Sequence, residues 1–266
     1  MSPQMLAVFV VAFLASLLGP LCGIGGGVII KPVVDAMGVL PVATVSFLSS
    51  ISVLTMSAAT LLQNAAAKTS TVNARRMLPL ALGSAAGGVA GKMGFNALSE
   101  GLPGTELVGA VQAAILITLT CIVAVYTVKK DRVGNLYVKS PAASAAIGAA
   151  AGACWSFLGI GGGPFNLAIL TFFFAMDTKP AAQASLFIIA FSQTASLVYS
   201  LVRGSIPEFA PWLLIGMCIS AVAGSILGRQ LAKRADSKMV EKLYLFSLAL
   251  IAAICCYNFC RFADII

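Results

Sequence analysis

Long apolar runs separated by short charged loops constrain this chain more than any other feature. They cover roughly residues 5–18, 25–36, 41–64, 77–98, 105–128, 142–157, 162–175, 180–202, 208–229 and 240–260. Charged residues make up only 10% of the chain, whereas soluble domains average ~25%. Backbone in lipid must satisfy its own hydrogen bonds, and the alternation expected of a membrane β-barrel is absent. We therefore predict an all-α polytopic membrane protein.

The charge and the reactive side chains exclude several classes of function. The net charge of +8 does not indicate a nucleic-acid partner, because the Lys and Arg residues lie in loops beside apolar runs, where they set topology. The seven cysteines show no metal-ligand spacing, and the chain has no histidine. No Asp or Glu is expected deep in a span, and Asp35 and Asp177 lie closest to the glycine motifs described next. Neither an enzyme nor a cofactor or metal is predicted.

The pentapeptide GIGGG occurs twice, at residues 23–27 and 159–163. Other matches follow each copy in the same order, which indicates an internal duplication. We predict two homologous membrane halves, residues 1–130 and 141–266, joined by a basic cytoplasmic linker at 131–140. The matching positions are Pro41 with Pro180, Ala43 with Ala182, Ser46 with Ser185, and Gly87/Gly91 with Gly224/Gly228.

The distribution of cations favours inverted halves. If each GIGGG lies in a helix that crosses the membrane fully, the 17 Lys and Arg residues divide nine to eight between the two sides. If each is the tip of a re-entrant hairpin, they divide thirteen to four, as the positive-inside rule expects. The apolar pieces beside each tip, at ~13–16 residues, are shorter than a full span of ~20. We predict six full spans plus two re-entrant hairpins with both termini outside, and a fully crossing broken helix is the alternative.

The two glycine tips are candidate anion-binding elements. Each precedes a half-helix whose first N–H groups lack intrahelical acceptors and carry partial positive charge, and glycine lets a ligand approach the backbone. Gly25, Gly26 and Gly27, with Gly161, Gly162 and Gly163, are predicted to donate to a small anion. The alternative for a single copy is close helix packing through small residues.

Polar residues near the tips are predicted to complete the binding site. Hydroxyl and amide groups suit oxyanions, although serines in membrane helices also bond back to the preceding turn. Lys31, about one and a half turns past the first tip, is predicted to attract the anion, and the alternative is that it snorkels to the interface. The glycine pairs spaced by four serve either internal packing or a homodimer seam. The polar candidates are Ser49, Ser50, Ser192, Gln193, and Asn166 and Trp155 beside the second tip.

The motifs GIGGGVIIKP at 23–32 and GIGGGPFNLA at 159–168 resemble the TauE/SafE family of sulfite and organosulfonate exporters, as does PLALGSAAGGVAG at 79–91. The resemblance implies a transporter of the inner (plasma) membrane whose partners are the lipid bilayer and a small sulfur-containing anion: sulfite, thiosulfate or an organosulfonate such as sulfoacetate. Alternating access around a midplane site is the implied mechanism. A passive anion channel, or carriage of another small organic anion, is the alternative. The chain departs from the family pattern at Ala168, where a proline is common, and at Lys31.

Overall fold

Ten α-helices and one 3₁₀ turn make up the computed structural model, which describes residues 3–101 and 105–263. No strand occurs in these two ranges, so the predicted all-helical class is confirmed there. The helices are α1 (Pro3–Cys22), α2 (Gly27–Met37), α3 (Val42–Ala66), α4 (Ala74–Gly101), α5 (Thr105–Lys129), α6 (Pro141–Leu158), α7 (Gly163–Phe174), α8 (Thr178–Val202), α9 (Pro211–Arg234) and α10 (Ser237–Phe262), with the 3₁₀ turn at Lys130–Arg132.

Seven of these helices are long and apolar enough to cross a membrane: α1, α3, α5, α6, α8, α9 and α10. The chain is therefore a multi-pass membrane protein. Helix α4 has 28 residues but carries Arg75, Arg76 and Lys92 in its sequence. Helices α2 and α7, with 11 and 12 residues, are too short for a ~30 Å hydrocarbon core.

Helices α1 and α6 are longer than the sequence predicts. The expectation of ~13–16 residues is wrong for both, since α1 has 20 residues and α6 has 18. Helix α1 continues through Pro20 to Cys22, although a proline removes the hydrogen bond that its own nitrogen would donate and its ring crowds the carbonyl four residues earlier. Helix α6 gains its first turn from the Ser140 side chain, which accepts a hydrogen bond from the Ala143 amide.

The helix before each glycine tip packs on a long helix of the other half. Helix α1 lies along α9, and α6 lies along α4. The glycine pairs form these seams: a Cβ added to Gly91 would lie 2.8 Å from the Ala153 carbonyl carbon, and one on Gly228 would lie 2.9 Å from that of Leu17. Only glycine permits backbones to approach so closely. The seams are therefore internal packing surfaces.

The two short helices also contact the opposite half. The Asn258 side chain of α10 donates to the Pro32 carbonyl of α2 at 2.8 Å. The Tyr126 hydroxyl of α5 donates to Thr171 of α7 at 3.3 Å. The helices on both sides of each glycine tip, α1 and α2 or α6 and α7, thus contact helices from the other half.

Contacts between helix ends define two faces of the bundle. Arg229 near the end of α9 donates to Asn64 near the end of α3 at 2.7 Å, and the Thr71 amide donates to Gln183 in the second turn of α8. We call this end of the bundle the basic face. At the other end, Thr44 at the start of α3 donates to the Glu208 carbonyl just before α9. We call this end the opposite face.

Candidate functional site

The two glycine tips end their preceding helices in the same way and then differ. Gly23 (φ 65) follows α1 and Gly159 (φ 67) follows α6, and both lie in the left-handed region that glycine adopts without strain. Beyond that point the second tip has positive φ at Gly161, Gly162 and Gly163, whereas Gly25, Gly26 and Gly27 do not. The duplicated motif therefore produces two tips of unequal backbone shape.

The tips contact each other directly. A Cβ added to Gly25 would lie 3.5 Å from the Gly163 nitrogen, and one on Gly27 would lie 2.6 Å from the Ile160 carbonyl oxygen. Two apolar side chains flank the junction: Val53 of α3 contacts Gly25, Gly27 and Gly161, and Ile189 of α8 contacts Gly25 and Gly161. The tips therefore meet between the middle turns of α3 and α8.

The amide groups of the tips are free to donate. Within residues 3–101 and 105–263, no backbone or side-chain acceptor receives a hydrogen bond from the N–H groups of residues 25–27 or 161–163. Their carbonyls are in use, since Gly26 accepts from Ile29 and Ile30, and Gly162 accepts from Phe165 and Asn166. Unpaired N–H groups at a helix start favour a negatively charged ligand.

A polar pocket lies beside the second tip, and we call it the Lys92 pocket. It contains a lysine amine, an amide and four hydroxyls, all groups that can donate to an oxyanion. Lys92 is 9% exposed and packs over the Phe95 ring, 4.9 Å from its centroid. The pocket is lined by Phe47, Ser50, Ile51, Leu54, Lys92, Ser156, Gln193, Ser196, Leu197 and Ser200.

Gln193 brings to this pocket a buried side-chain amide without hydrogen bonds to the residues that the structure describes. It is 2% exposed, and neither its Oε1 nor its Nε2 atom has a hydrogen-bond partner among the described residues. Its Nε2 atom lies 3.6 Å from the position a Cβ would take on Gly161. A buried amide left unpaired costs free energy of order 1–3 kcal/mol, and a bound ligand with polar atoms would remove that cost.

The serine candidates divide into lining and buried groups. Ser50 lines the Lys92 pocket. Ser49 and Ser192 are fully buried, and their hydroxyl oxygens have no partner within the described part of the chain. Ser192 Oγ lies 2.8 Å from the position of an added Cβ on Gly88 in α4. The polar residues of α8 at Ser192 and Gln193 therefore face α4 as well as the tips.

Trp155 of α6 and Asn166 of α7 bind each other beside the second tip. The indole Nε1 donates to Asn166 Oδ1 at 2.8 Å, and the indole ring stacks on Phe165 with centroids 4.9 Å apart. The Asn166 Nδ2 atom has no partner among the described residues and lies 2.6 Å from the position of an added Cβ on Gly162. Trp155 positions the amide, and Asn166 presents a free donor beside the tip.

Comparison with known families decides the assignment. The profile of the sulfite exporter TauE/SafE family matches residues 8–254. The chain belongs to the TauE/SafE family. Comparison with curated proteins and with solved structures gives no match. The TauE/SafE family consists of membrane transporters, so family membership indicates membrane export of sulfite or a related anion and not an enzyme class.

In this TauE/SafE chain Lys31 lies away from the Lys92 pocket. Its amine forms a buried salt bridge with Asp35, one turn further along α2. Asp35 is 6% exposed and lies near the end of α2, a helix too short to span the membrane. Each charge compensates the other, because a lysine and an aspartate four residues apart share one face of a helix.

Lys92 is the residue that sequence reasoning missed. The sequence pattern predicts that the Lys and Arg residues lie in loops, but Lys92 lies inside α4 and faces the pocket. Neither of the two salt bridges in the described residues, Lys31–Asp35 and Lys130–Glu241, involves it. Its place directly after Gly91 of the glycine seam is the signal that could have revealed it, because that seam holds α4 against α6.

Proposed function

We propose that the chain transports small sulfur-containing oxyanions, namely sulfite, thiosulfate or an organosulfonate such as sulfoacetate, across the inner (plasma) membrane by alternating access. The observation that carries the proposal is the unpaired Gln193 amide between free tip N–H groups and the buried cation Lys92. Family membership supports sulfite export in general. The choice among sulfur anions is the part that needs experiment.

The binding role of each group follows from its chemistry. Lys92 supplies the positive charge that an anion needs when it leaves water, because an isolated charge inside a membrane is expensive. The Gln193 and Asn166 amides and the hydroxyls of Ser50, Ser49 and Ser192 supply neutral donors. Tip N–H groups at Gly25–Gly27 and Gly161–Gly163 add partial positive charge. Lys31 is not included, because Asp35 already neutralises it.

The contacts of the hairpin ends support inverted halves. Phe9 near the start of α1 packs on Trp212 in the first turn of α9, and Arg261 near the end of α10 donates to the Asp35 carbonyl near the end of α2. Both ends of the first hairpin thus contact the opposite face. We infer that this hairpin is re-entrant, with the N-terminus outside the cell.

The second hairpin has the reverse arrangement. At the end of α7, the Phe174 carbonyl accepts a hydrogen bond from Arg76. At the start of α6, Ala145 Cα would lie 2.9 Å from a Cβ added to Gly83 of α4. Both contacts involve the first turns of α4, at the basic face. We assign this face to the cytoplasm by the positive-inside rule. We also infer that the halves 1–130 and 141–266 are related by inversion.

Flux measurements with proteoliposomes test the proposal. We expect saturable uptake of at least one of labelled sulfite, thiosulfate, sulfoacetate and taurine, measured with and without a pH gradient. Gln193→Leu should lower that uptake at least about tenfold, because one to two hydrogen bonds to a charged ligand are lost. The same change at exposed Gln230 is the matched control and should be neutral. Wild-type uptake no greater than in protein-free liposomes would reject the function.

A channel is the second candidate, since the tips could act as a fixed filter. Counterflow separates the two mechanisms: a carrier accumulates labelled substrate against unlabelled substrate inside the vesicle, and a channel does not. We expect counterflow, because the tips contact each other and Val53 and Ile189 flank their junction. Rapid flux without counterflow would favour the channel.

A further inference from the structure

A second cation occupies the place in the second half that Lys92 occupies in the first. Lys92 directly follows Gly91 of the first glycine pair, and Arg229 directly follows Gly228 of the second. Both preceding glycines press against the backbone of a hairpin helix from the other half. The duplication therefore places one cation beside each seam.

Arg229 also faces a cavity, which we call the Arg229 pocket. Three cations line it, Lys179, Arg229 and Lys233, and no carboxylate is among its described lining residues. The Arg229 guanidinium is oriented by two hydrogen bonds, from Nε to Asn64 Oδ1 at 2.7 Å and from Nη2 to Thr69 Oγ1 at 3.1 Å. The N–H groups of its Nη1 atom remain available to donate, and a guanidinium held in this orientation suits an oxyanion.

The two pockets lie on opposite sides of the tips. Along α8, Lys179 and Gln183 line the Arg229 pocket, Ile189 contacts the tips, and Gln193 to Ser200 line the Lys92 pocket. Along α3 the order is reversed: Ser50, Ile51 and Leu54 line the Lys92 pocket, Val53 on the neighbouring face contacts the tips, and Thr60 and Asn64 line the Arg229 pocket. Two antiparallel helices thus connect both pockets past one junction.

We propose that the Arg229 pocket is a second binding site for the transported oxyanion, on the basic face, equivalent to the Lys92 pocket on the other side of the tips. The inference rests on the proposed function for the identity of the anion. An unbalanced group of three cations attracts an anion from solution and concentrates it at the mouth of a pathway. The shared chemistry, an oxyanion on a guanidinium, also fits a lipid phosphate, so the test must separate the two.

Equilibrium binding of labelled sulfite and thiosulfate to the purified protein tests the second site without requiring transport. We expect Arg229→Gln to remove one class of site and leave the Lys92 class, and Lys92→Gln to do the converse. Arg229→Lys should keep part of the binding, because the charge remains while the fork of donors is lost. Exposed Arg234 of the same helix provides the control, and Arg234→Gln should bind as wild type does. A single class of site that Arg229→Gln leaves unchanged would overturn the proposal.

Sided kinetics connect the site to transport. In inside-out and right-side-out vesicles, Arg229→Gln should raise KM at least about tenfold only when substrate is presented at the basic face, and Lys92→Gln only from the other side. An equal rise from both sides would show that Arg229 acts on the fold and would overturn the inference. If wild type binds at two sites but shows no flux, the proposed function fails and the second site stands.

The lipid arm uses vesicles of phosphatidylcholine with and without one-third phosphatidylglycerol. An anion site that belongs to the substrate should give the same Arg229-dependent KM in both. If the effect of Arg229→Gln appears only with phosphatidylglycerol, the pocket holds a lipid phosphate and the proposal is wrong.

Discussion

The seam between α4 and α6 leads to a prediction about the thermal stability of a glycine variant. A Cβ added to Gly87 would lie 2.7 Å from the Ala149 carbonyl carbon and 2.8 Å from its Cα, with the carbonyl oxygen closer still. Favourable carbon contacts begin at ~3.5 Å, so the helices would have to part by about 1 Å. Such a gap removes about a quarter to a half of the van der Waals attraction in each contact across the seam. The obstructing atoms are backbone and cannot rotate away.

Gly87→Ala should therefore destabilise the protein. Overpacking costs ~1–3 kcal/mol, and the gain from replacing a helical glycine offsets ~0.5–1 kcal/mol. The net loss of about 0–2.5 kcal/mol, centred at about 1 kcal/mol, corresponds to a fall in Tm of roughly 2–4 °C at the centre of that range. The matched control is Gly94→Ala in the same helix, where the nearest atom to an added Cβ is Phe157 Cδ2 at an ordinary 3.8 Å.

Thermal unfolding of both variants in detergent gives the measurement. We expect Gly94→Ala to raise Tm slightly and Gly87→Ala to lower it, so the two shifts have opposite signs. Equal shifts for the two variants would show that the seam yields without cost, and the internal role of the glycine pair would have to be abandoned.

Two further predictions concern buried polar groups. Asp35→Ala should lower the free energy of unfolding by ~3–5 kcal/mol, because it leaves Lys31 charged and unpaired. The double variant Lys31→Met with Asp35→Leu should regain most of that loss. Chemical denaturation checks both, and a single variant as stable as the double variant would contradict the pairing. Asn166→Asp keeps an acceptor for Trp155 but places a buried negative charge beside the second tip, so Tm should fall and oxyanion uptake per folded protein should fall about tenfold or more; unchanged uptake would place the anion elsewhere.

The sequence indicates the helices and the seams well because both depend on local patterns. Long apolar runs predict helices in lipid, and glycines spaced by four predict a face that accepts another backbone. Gly87, Gly91, Gly224 and Gly228 all lie in such contacts. The partner helix is not a local property, however, and no residue of α4 specifies that α6 from the other half will lie against it.

The charged residues show why the site was only partly predictable. Lys31 and Lys92 are both lysines near glycine motifs, but only Lys31 has an acid four residues further on, so its pairing with Asp35 is a local feature of the sequence. Lys92 faces hydroxyls from α3, α6 and α8. Its surroundings depend on which helices meet, so they need tertiary structure. Gln193 could be predicted because it lies next to Ser192, one of the serines that recur at helical spacing along α8.

The seams also limit how the two pockets can exchange access. Helix pairs α1–α9 and α4–α6 touch through backbone, so a small separation loses many contacts at once, and each pair should move as a unit. The tips meet through few atoms, between Val53 and Ile189. An anion that passes from one pocket to the other must therefore separate the tips and leave the seams closed. In the proposed alternating-access mechanism the two halves exchange roles, so states open to either side would have similar free energies. Two differences between the halves would bias that balance: Lys92 stands against Arg229, and the second tip has more glycines with positive φ than the first.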